Sequence, residues 1–151
     1  MMTLEEFKKK QSDKSRLLGL DLGSKRIGVS ICDEKQLIAT PFKTIIRSSA
    51  DEVINEIKNL INENNIKGII VGNPLNMDGS SGRSAQSIKD TTNYIKNNID
   101  IPVCLWDERL STVGAFNLSS QLDVNVSKRE KKIDENAAAF ILQGAIDFLN
   151  N

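Results

Sequence analysis

The sequence predicts a single α/β domain around a five-stranded mixed sheet, with three antiparallel strands followed by two parallel strands and flanked by helices. Three observations support this fold class. The chain opens with three short runs rich in β-branched residues, and its middle alternates helical periodicity with short apolar runs. Its 151 residues, 39% of them hydrophobic, are enough for one core, whereas two domains would be cramped.

The three opening strands are predicted from apolar runs separated by short polar turns. Residues 17–23 (LLGLDLG) and 27–33 (IGVSICD) are joined by the polar segment 24–26, which favours a hairpin. A third run, 37–46, contains Pro41, which lacks an N–H donor and therefore marks an edge strand or a bulge. We expect three sequential antiparallel strands.

Helices and strands then alternate. The segment 50–64 repeats apolar residues at the spacing of an amphipathic helix, whereas 68–72 (GIIVG) is a continuous apolar run of the kind found in buried parallel strands. The predicted order after the third strand is helix 50–64, strand 68–72, helix 84–97, strand 103–107, helix 112–122 and closing helix 134–149. This is the element order of the RNase H-like fold, which brings the carboxyl ends of the first, fourth and fifth strands to one edge.

The ends of the chain and its apolar runs bear on domain organisation and location. Residues 1–15 are polar and lysine-rich, and we expect an extension outside the core of a domain at 16–151. The longest apolar runs fall far short of the ~20 residues that span a bilayer, which argues against a membrane protein. The N-terminus lacks the apolar segment of a secretory signal, so we expect a cytoplasmic location.

Residue usage excludes several classes of chemistry. The chain has no histidine, which excludes Ser-His-Asp and Cys-His nucleophile systems and imidazole-ligated metal sites. Cys32 and Cys104 lie in apolar runs without flanking cations, so we expect buried, unreactive thiols. Any chemistry must therefore use carboxylates, lysines, hydroxyls or a hard metal ion.

Three acidic residues are the strongest candidates for a catalytic site. Asp21 lies near the end of the first strand within an apolar run, Glu108 follows the fifth strand, and Asp134 is predicted to open the closing helix. In the predicted fold they converge on one rim, and an oxygen-only cluster selects Mg²⁺ or Mn²⁺. Two such ions ~4 Å apart can activate a water and stabilise the leaving oxygen of a phosphodiester. The sequence therefore predicts a carboxylate–metal site for phosphodiester hydrolysis.

Each of these carboxylates also has a purely structural interpretation, which stays open at this point. Alternate residues of a strand face opposite sides, so only one of the two acidic residues after the fifth strand should point toward the site. The alternatives are Asp21 bound to the amides of 23–26 or paired with Arg26, Asp107 or Glu108 clamped by Arg109, and Asp134 as the N-cap of the closing helix.

Nucleic acid would have to bind through local patches, because the 20 basic and 20 acidic residues give no net charge. The loop 72–82 is rich in Gly, Asn and Ser but lacks the GKS or GKT of a Walker A loop. The alternative interpretation is structural: the loop would be an ordinary turn-rich connection, and the basic residues would be solvated surface. The residues predicted to contact the phosphate backbone of nucleic acid are Lys25, Arg26, Asn76, Arg83, Lys128 and Arg129, with Lys131 and Lys132 beside them.

The chain resembles the YqgF family across residues 17–149, in four segments that follow in order: LGLDLGSKRIGVS, GNPLNMDGSSGRSAQ, LWDERLST and KKIDENAAAFILQ. The resemblance implies an RNase H-like endonuclease that matures the 5′ end of pre-16S rRNA in ribosome biogenesis, with Holliday-junction resolution as the alternative. Carried over by motif, Asp21, Glu108 and Asp134 would be the acidic residues of the active site. The expected partners are structured rRNA precursor or branched DNA and ribosomal particles, and the expected state is a monomer or weak homodimer.

Two other functional classes remain open. A non-catalytic nucleic-acid-binding module in transcription or ribosome assembly would be favoured by the loss of one of the three carboxylates, but all three are present. The hairpin DLGSKRIG also resembles the first phosphate-binding turn of the actin, Hsp70 and sugar-kinase ATPases. Those enzymes close two such domains around ATP, and a single chain of 151 residues has no second domain.

Overall fold

The computed structural model describes residues 3–10, 14–73, 83–107 and 126–150. Its five strands form one sheet in the order β3-β2-β1-β4-β5, with helices on both faces, which confirms the predicted fold class. The elements are α1 Leu4–Lys10, β1 Leu17–Leu22, β2 Arg26–Cys32, β3 Ala39–Ile46, α2 Ala50–Asn64, β4 Gly68–Asn73, α3 Arg83–Asn98, β5 Val103–Asp107 and α4 Val126–Leu149. The predicted helix 112–122 lies outside the described residues.

Strand pairing follows the predicted pattern. β1 pairs antiparallel with β2, and β2 with β3, whereas β1 with β4 and β4 with β5 are parallel. The carboxyl ends of β1, β4 and β5 therefore meet at one edge, which we call the carboxyl edge. β3 lies at the other side of the sheet, and its register shifts near Pro41, where a bulge interrupts the pairing.

The sheet separates two apolar clusters. Leu18, Leu20 and Leu22 of β1 pack toward α2 and α3, and we call this side the α2/α3 face. Leu17 packs on the opposite side with α1 and α4, which we call the α4 face. Because successive side chains of a strand alternate, each sheet residue can be assigned to one face from its neighbours.

The N-terminal segment contributes to the core, contrary to the expectation that residues 1–15 lie outside it. Leu4 and Phe7 are one helical turn apart in α1, and both are buried against Leu17, Trp106 and Ile146. Phe7 is only 3% exposed. The polar composition of the segment hid this helix, because two apolar residues on one turn are enough to bury one side of it.

The closing helix begins earlier than predicted. α4 starts at Val126, so Asp134 lies about two turns inside it and is not its N-cap. The segment 126–133, which the sequence prediction left as a connection between two helices, is helical because Lys, Arg and Glu are good helix formers and no Gly or Pro interrupts it. None of the described helices combines the length and apolar character that crossing a bilayer requires.

Candidate active site at the carboxyl edge

Asp21 is the last residue of β1 that lies on the α4 face. It pairs with Gly28 of β2, and its side chain is partly exposed. Its neighbours Leu20 and Leu22 belong to the cluster on the α2/α3 face, so Asp21 shares its side with Leu17 and Gly19. A carboxylate therefore stands at the carboxyl edge beneath the N-terminal half of α4.

Helix α4 lies unusually close to β1 because of Gly19. A Cβ atom at this position would lie 2.3 Å from Ser30 Oγ and 2.7 Å from Leu142 Cβ. The buried Ser30 hydroxyl donates to the Ala138 carbonyl oxygen at 2.7 Å. The height of α4 above the sheet is thus fixed two residues before Asp21.

Further hydrogen bonds fix where α4 lies along the sheet. Asn150 Nδ2 donates to the Gln36 carbonyl at 2.7 Å, and Gln143 Nε2 donates to the Leu37 carbonyl at 3.0 Å. At the other end, Thr44 Oγ1 donates to Glu135 Oε1 at 3.2 Å. α4 therefore runs from the carboxyl edge toward the opposite edge of the sheet, and its first turns begin at the carboxyl edge.

Asp134 is therefore placed at the candidate site by its backbone. Thr44, Gly28 and Asp21 form one row across three strands, and Thr44 bonds Glu135, the residue after Asp134. Asp134 also lies one turn before Ala138, which packs on β1 and β2. The side chain of Asp134 is not among those described, so its predicted role as a metal ligand stays a prediction.

The pleat of β5 distinguishes Asp107 from Glu108. Val103 and Leu105 pack on the α2/α3 cluster, so Asp107 falls on that face, away from Asp21. This leaves Glu108 as the candidate partner of Asp21, but Glu108 lies outside the described residues. Within the part of the chain that the structure describes, no three acidic or cysteine side chains form a cluster, as expected when only Asp21 of the predicted three has a described side chain.

Asn73 is a polar residue of this edge that the sequence assigned to the loop at 72–82. It ends β4 beside Asp107 and is only 9% exposed. Among the described residues, its side-chain oxygen has no hydrogen-bond partner, which is uncommon for a buried polar atom. An amide that directly follows an apolar strand is the sequence signal for such a residue. Asn73 and Asp107 thus form a second polar pair on the face opposite Asp21.

The β1–β2 turn holds the predicted nucleic-acid contacts at this edge. The Gly23 N–H donates to the Arg26 carbonyl at 2.9 Å and to the Asp21 backbone carbonyl at 3.1 Å, so this amide is bonded to backbone oxygens. Lys25 is exposed and Arg26 is partly buried. Lys25 lies in the turn that follows Asp21 in the chain and Arg26 begins β2, and their contact with nucleic acid stays a prediction.

Arg47 adds a third cation that the sequence reading missed. Its N–H donates to the Lys25 carbonyl at 3.0 Å, and its Nη1 donates to the Gly23 carbonyl at 2.7 Å. Its position directly after the third strand was the available signal, since β3 ends at the same edge as β1. Arg47 thereby ties the β1–β2 turn to the segment that connects β3 to α2.

The other predicted contacts are placed only by their backbone or lie outside the described residues. Arg83 begins α3, and Lys128, Arg129, Lys131 and Lys132 lie in the first turns of α4. Their side chains are not described, and Asn76 lies outside the described residues. Their role as nucleic-acid contacts therefore stays a prediction.

Both cysteines are buried and chemically quiet. Burial raises the pKa of the Cys32 thiol to about 11 and that of the Cys104 thiol to about 12. At neutral pH neither thiol forms an appreciable amount of thiolate, which is the nucleophilic form. The expectation that both thiols are buried is confirmed.

The chain matches the family model described as "RuvX: Holliday junction resolvase" over residues 15–148. A protein of Pelagibacter ubique named "Putative pre-16S rRNA nuclease" is 72% identical over 151 residues, which is 100% of both chains. Proteins of the same name from Halothermothrix orenii and Chelativorans are 43% and 42% identical, over 89% and 99% of this chain and 96% and 93% of theirs.

Solved structures of low sequence identity share the fold. Thermus thermophilus RuvC in complex with Holliday junction substrate superimposes with a TM-score of 0.57 at 12% identity, covering 87% of this chain and 93% of RuvC. The yeast mitochondrial Holliday junction resolvase gives a TM-score of 0.53 at 12% identity, covering 97% and 84%. At this identity the likeness concerns the fold alone, and it confirms the predicted RNase H-like architecture.

Proposed function

We propose that this chain, which belongs to the RuvX family of Holliday junction resolvases, matures the 5′ end of pre-16S rRNA by metal-dependent endonucleolytic cleavage. Family membership makes it a nuclease, a hydrolase that acts on phosphodiester bonds. The substrate is carried by one observation: the full-length relative at 72% identity bears the name of a pre-16S rRNA nuclease. We further propose that it acts in the cytoplasm, on ribosomal particles or free precursor, as a monomer or weak homodimer.

Branched DNA is the second candidate substrate. The family description names Holliday junctions, and this observation alone favours the alternative. Resolution of a four-way junction requires paired cuts on two strands and hence two active sites, whereas trimming one RNA strand requires one. The number and symmetry of the cuts therefore separate the two candidates.

The donor set suits a hard divalent cation. Asp21 is a partly exposed carboxylate at the edge where β1 ends, and the chain has no histidine. We propose that Glu108 and Asp134 complete an oxygen-only site for Mg²⁺ or Mn²⁺. Bound there, such ions supply activation of water and neutralisation of charge on the phosphate.

The protein's own residues would bind and orient the substrate. Lys25 and Arg26 stand beside Asp21 on a turn that Arg47 braces, so their charges face a phosphate backbone passing the carboxyl edge. The bonds from Ser30 to Ala138 and from Thr44 to Glu135 hold α4, and with it Asp134, at a fixed position over β1. A defined geometry of this kind is what metal-assisted hydrolysis needs.

The decisive experiment is cleavage of a labelled pre-16S rRNA 5′-leader fragment by purified protein, beside a four-way DNA junction. We expect cutting of the RNA with Mg²⁺ or Mn²⁺ and none with EDTA. Paired symmetrical cuts in the junction, with the RNA intact, would replace the rRNA proposal with the resolvase alternative. Binding of the RNA without any cutting would instead support the non-catalytic module.

Neutralising the cations at the carboxyl edge should weaken RNA binding and its dependence on salt. One variant carries Lys25→Gln and Arg26→Gln, and a second carries Gln at the four basic residues of 128–132. We expect each to flatten the plot of log affinity against log salt. The slope should fall by about 0.7 to 0.9 for each phosphate that the protein no longer neutralises. The matched control carries Lys58→Gln and Lys96→Gln, two exposed lysines further along α2 and α3. An equal change of slope in the control would show that the effect comes from overall charge and not from cations at the carboxyl edge.

A further inference from the structure

We propose that the cleft between the start of α2 and the middle of α3 holds one unpaired base of the nucleic-acid substrate, and that it favours bases with an exocyclic amino group. This inference rests on the proposed nuclease function and adds a specificity element to it. The cleft has a volume of about 260 Å³, and the residues named below as lining it all belong to the described part of the chain. Sites for drug-sized ligands begin near ~300 Å³, so the cleft suits a single planar ring system.

The lining of the cleft combines apolar side chains with one aromatic residue. Val53, Ile54 and Ile95 line it, and all three are buried. Tyr94 also lines it and remains 39% exposed, although its side chain is large. Unpaired bases are commonly recognised by stacking on such aromatic rings.

The rim of the cleft offers acceptors and repels phosphate. The Asp90 carboxylate and the Thr91 hydroxyl line it. Asp51 lies beside them and accepts a hydrogen bond from the Tyr94 hydroxyl at 3.1 Å. Adenine, cytosine and guanine carry amino groups that donate to such acceptors, whereas uracil carries none. The excess of carboxylates over the one guanidinium, Arg47, favours a base here over a phosphate group.

Arg47 connects this cleft to the candidate active site. Its Nη2 donates to Thr91 Oγ1 in the cleft at 3.4 Å, and its Nη1 donates to the Gly23 carbonyl in the β1–β2 turn at 2.7 Å. Gly23 follows Asp21 by two residues, which an extended chain spans in about 7 Å. A base in the cleft would therefore belong to a nucleotide within a few positions of the phosphate at Asp21.

The test combines removal of the Tyr94 ring from the protein with removal of single bases from the RNA. Binding is measured in the Asp21→Asn background, so that the RNA is held and not cut, using leader fragments with one abasic nucleotide moved along the chain. We expect one position at which loss of the base weakens binding by about 5- to 150-fold. At that position Tyr94→Ala should add no further loss, and replacement by uracil should weaken binding whereas the other three bases should not.

Tyr94→Phe is the matched control, because it keeps the ring and loses only the bond to Asp51; it should retain most of the affinity. The inference is overturned if Tyr94→Ala weakens every abasic RNA as much as the intact RNA, or if no abasic position matters. Since the readout is binding, the two proposals fail separately. If binding depends on the base but the parent protein does not cleave, only the nuclease proposal is contradicted. If the parent cleaves and Tyr94 plays no part in binding, only the proposed base site is contradicted.

Discussion

Asp21→Asn should reduce metal-dependent cleavage of the leader RNA by at least about 10³-fold, equivalent to about 4 kcal/mol of transition-state stabilisation. Asparagine keeps the shape of the side chain and removes the charge that a divalent cation requires. Asp21 is partly exposed at the end of β1, so the substitution should change the free energy of unfolding in EDTA by no more than about 1 kcal/mol. Single-turnover cleavage and thermal unfolding together measure both effects.

Asp107→Asn is the matched control for Asp21→Asn. It makes the same change in charge at the same edge of the sheet, but the pleat of β5 places it on the α2/α3 face. We expect cleavage by this variant to remain within about tenfold of the parent, because a residue on the far face does not touch the ions. Equal loss in the two variants would show that the assignment of the faces is wrong.

Metal binding provides a readout that does not depend on the identity of the substrate. An ion that binds only the folded protein raises its stability, by about 2.7 kcal/mol at 100 times the dissociation constant. Addition of Mn²⁺ should therefore raise the melting temperature of the parent and of Asp107→Asn, and should leave that of Asp21→Asn nearly unchanged. A shift of equal size in all three would place the ion elsewhere.

Local sequence signals determined how well each element could be predicted. The bounds of α2 agree with the prediction because Ser49 caps its start, accepting from the Glu52 N–H, and Asn65 ends it in a left-handed conformation. The first turns of α4 are mostly polar, so its apolar stripe was visible from Ala138 onward and its start at Val126 was not. Helix α1 was missed because only Leu4 and Phe7 mark its buried side.

Within the candidate site, the position of Asp21 in the fold could be predicted from the sequence, whereas the orientation of its neighbours could not. The sequence singled out Asp21 as a carboxylate within an apolar strand, and the structure places it at the carboxyl edge as expected. It could not tell which side of the sheet Asp107 faces, because that depends on register and pleat across β4 and β5. Arg47 was overlooked because its importance comes from bonds to Gly23 and Lys25, which are remote in sequence.

Gly19→Ala should lower both stability and activity, because it forces α4 away from β1. The new Cβ would lie 2.7 Å from Leu142 Cβ, which is fixed to the backbone of α4 and cannot rotate aside. It would also lie 2.3 Å from Ser30 Oγ, whose bond to the Ala138 carbonyl would be lost if the hydroxyl turned away. Overpacking of this kind costs about 1 to 3 kcal/mol in the free energy of unfolding.

Gly68→Ala is the matched control, because it creates a similar clash against a different helix. Its Cβ would lie 2.7 Å from Cε2 of the Phe7 ring, on α1, and its three nearest atoms belong to α1 and β1. We expect a comparable loss of stability, measured by denaturant unfolding, but unchanged cleavage per folded molecule. Gly19→Ala should in addition lose about 10- to 100-fold in cleavage, since a displacement of ~1 Å at a reacting group can cost about 10². If both variants lose stability and neither loses cleavage, the position of α4 over β1 does not control catalysis, and Asp134 cannot be a ligand held there by the packing at Gly19.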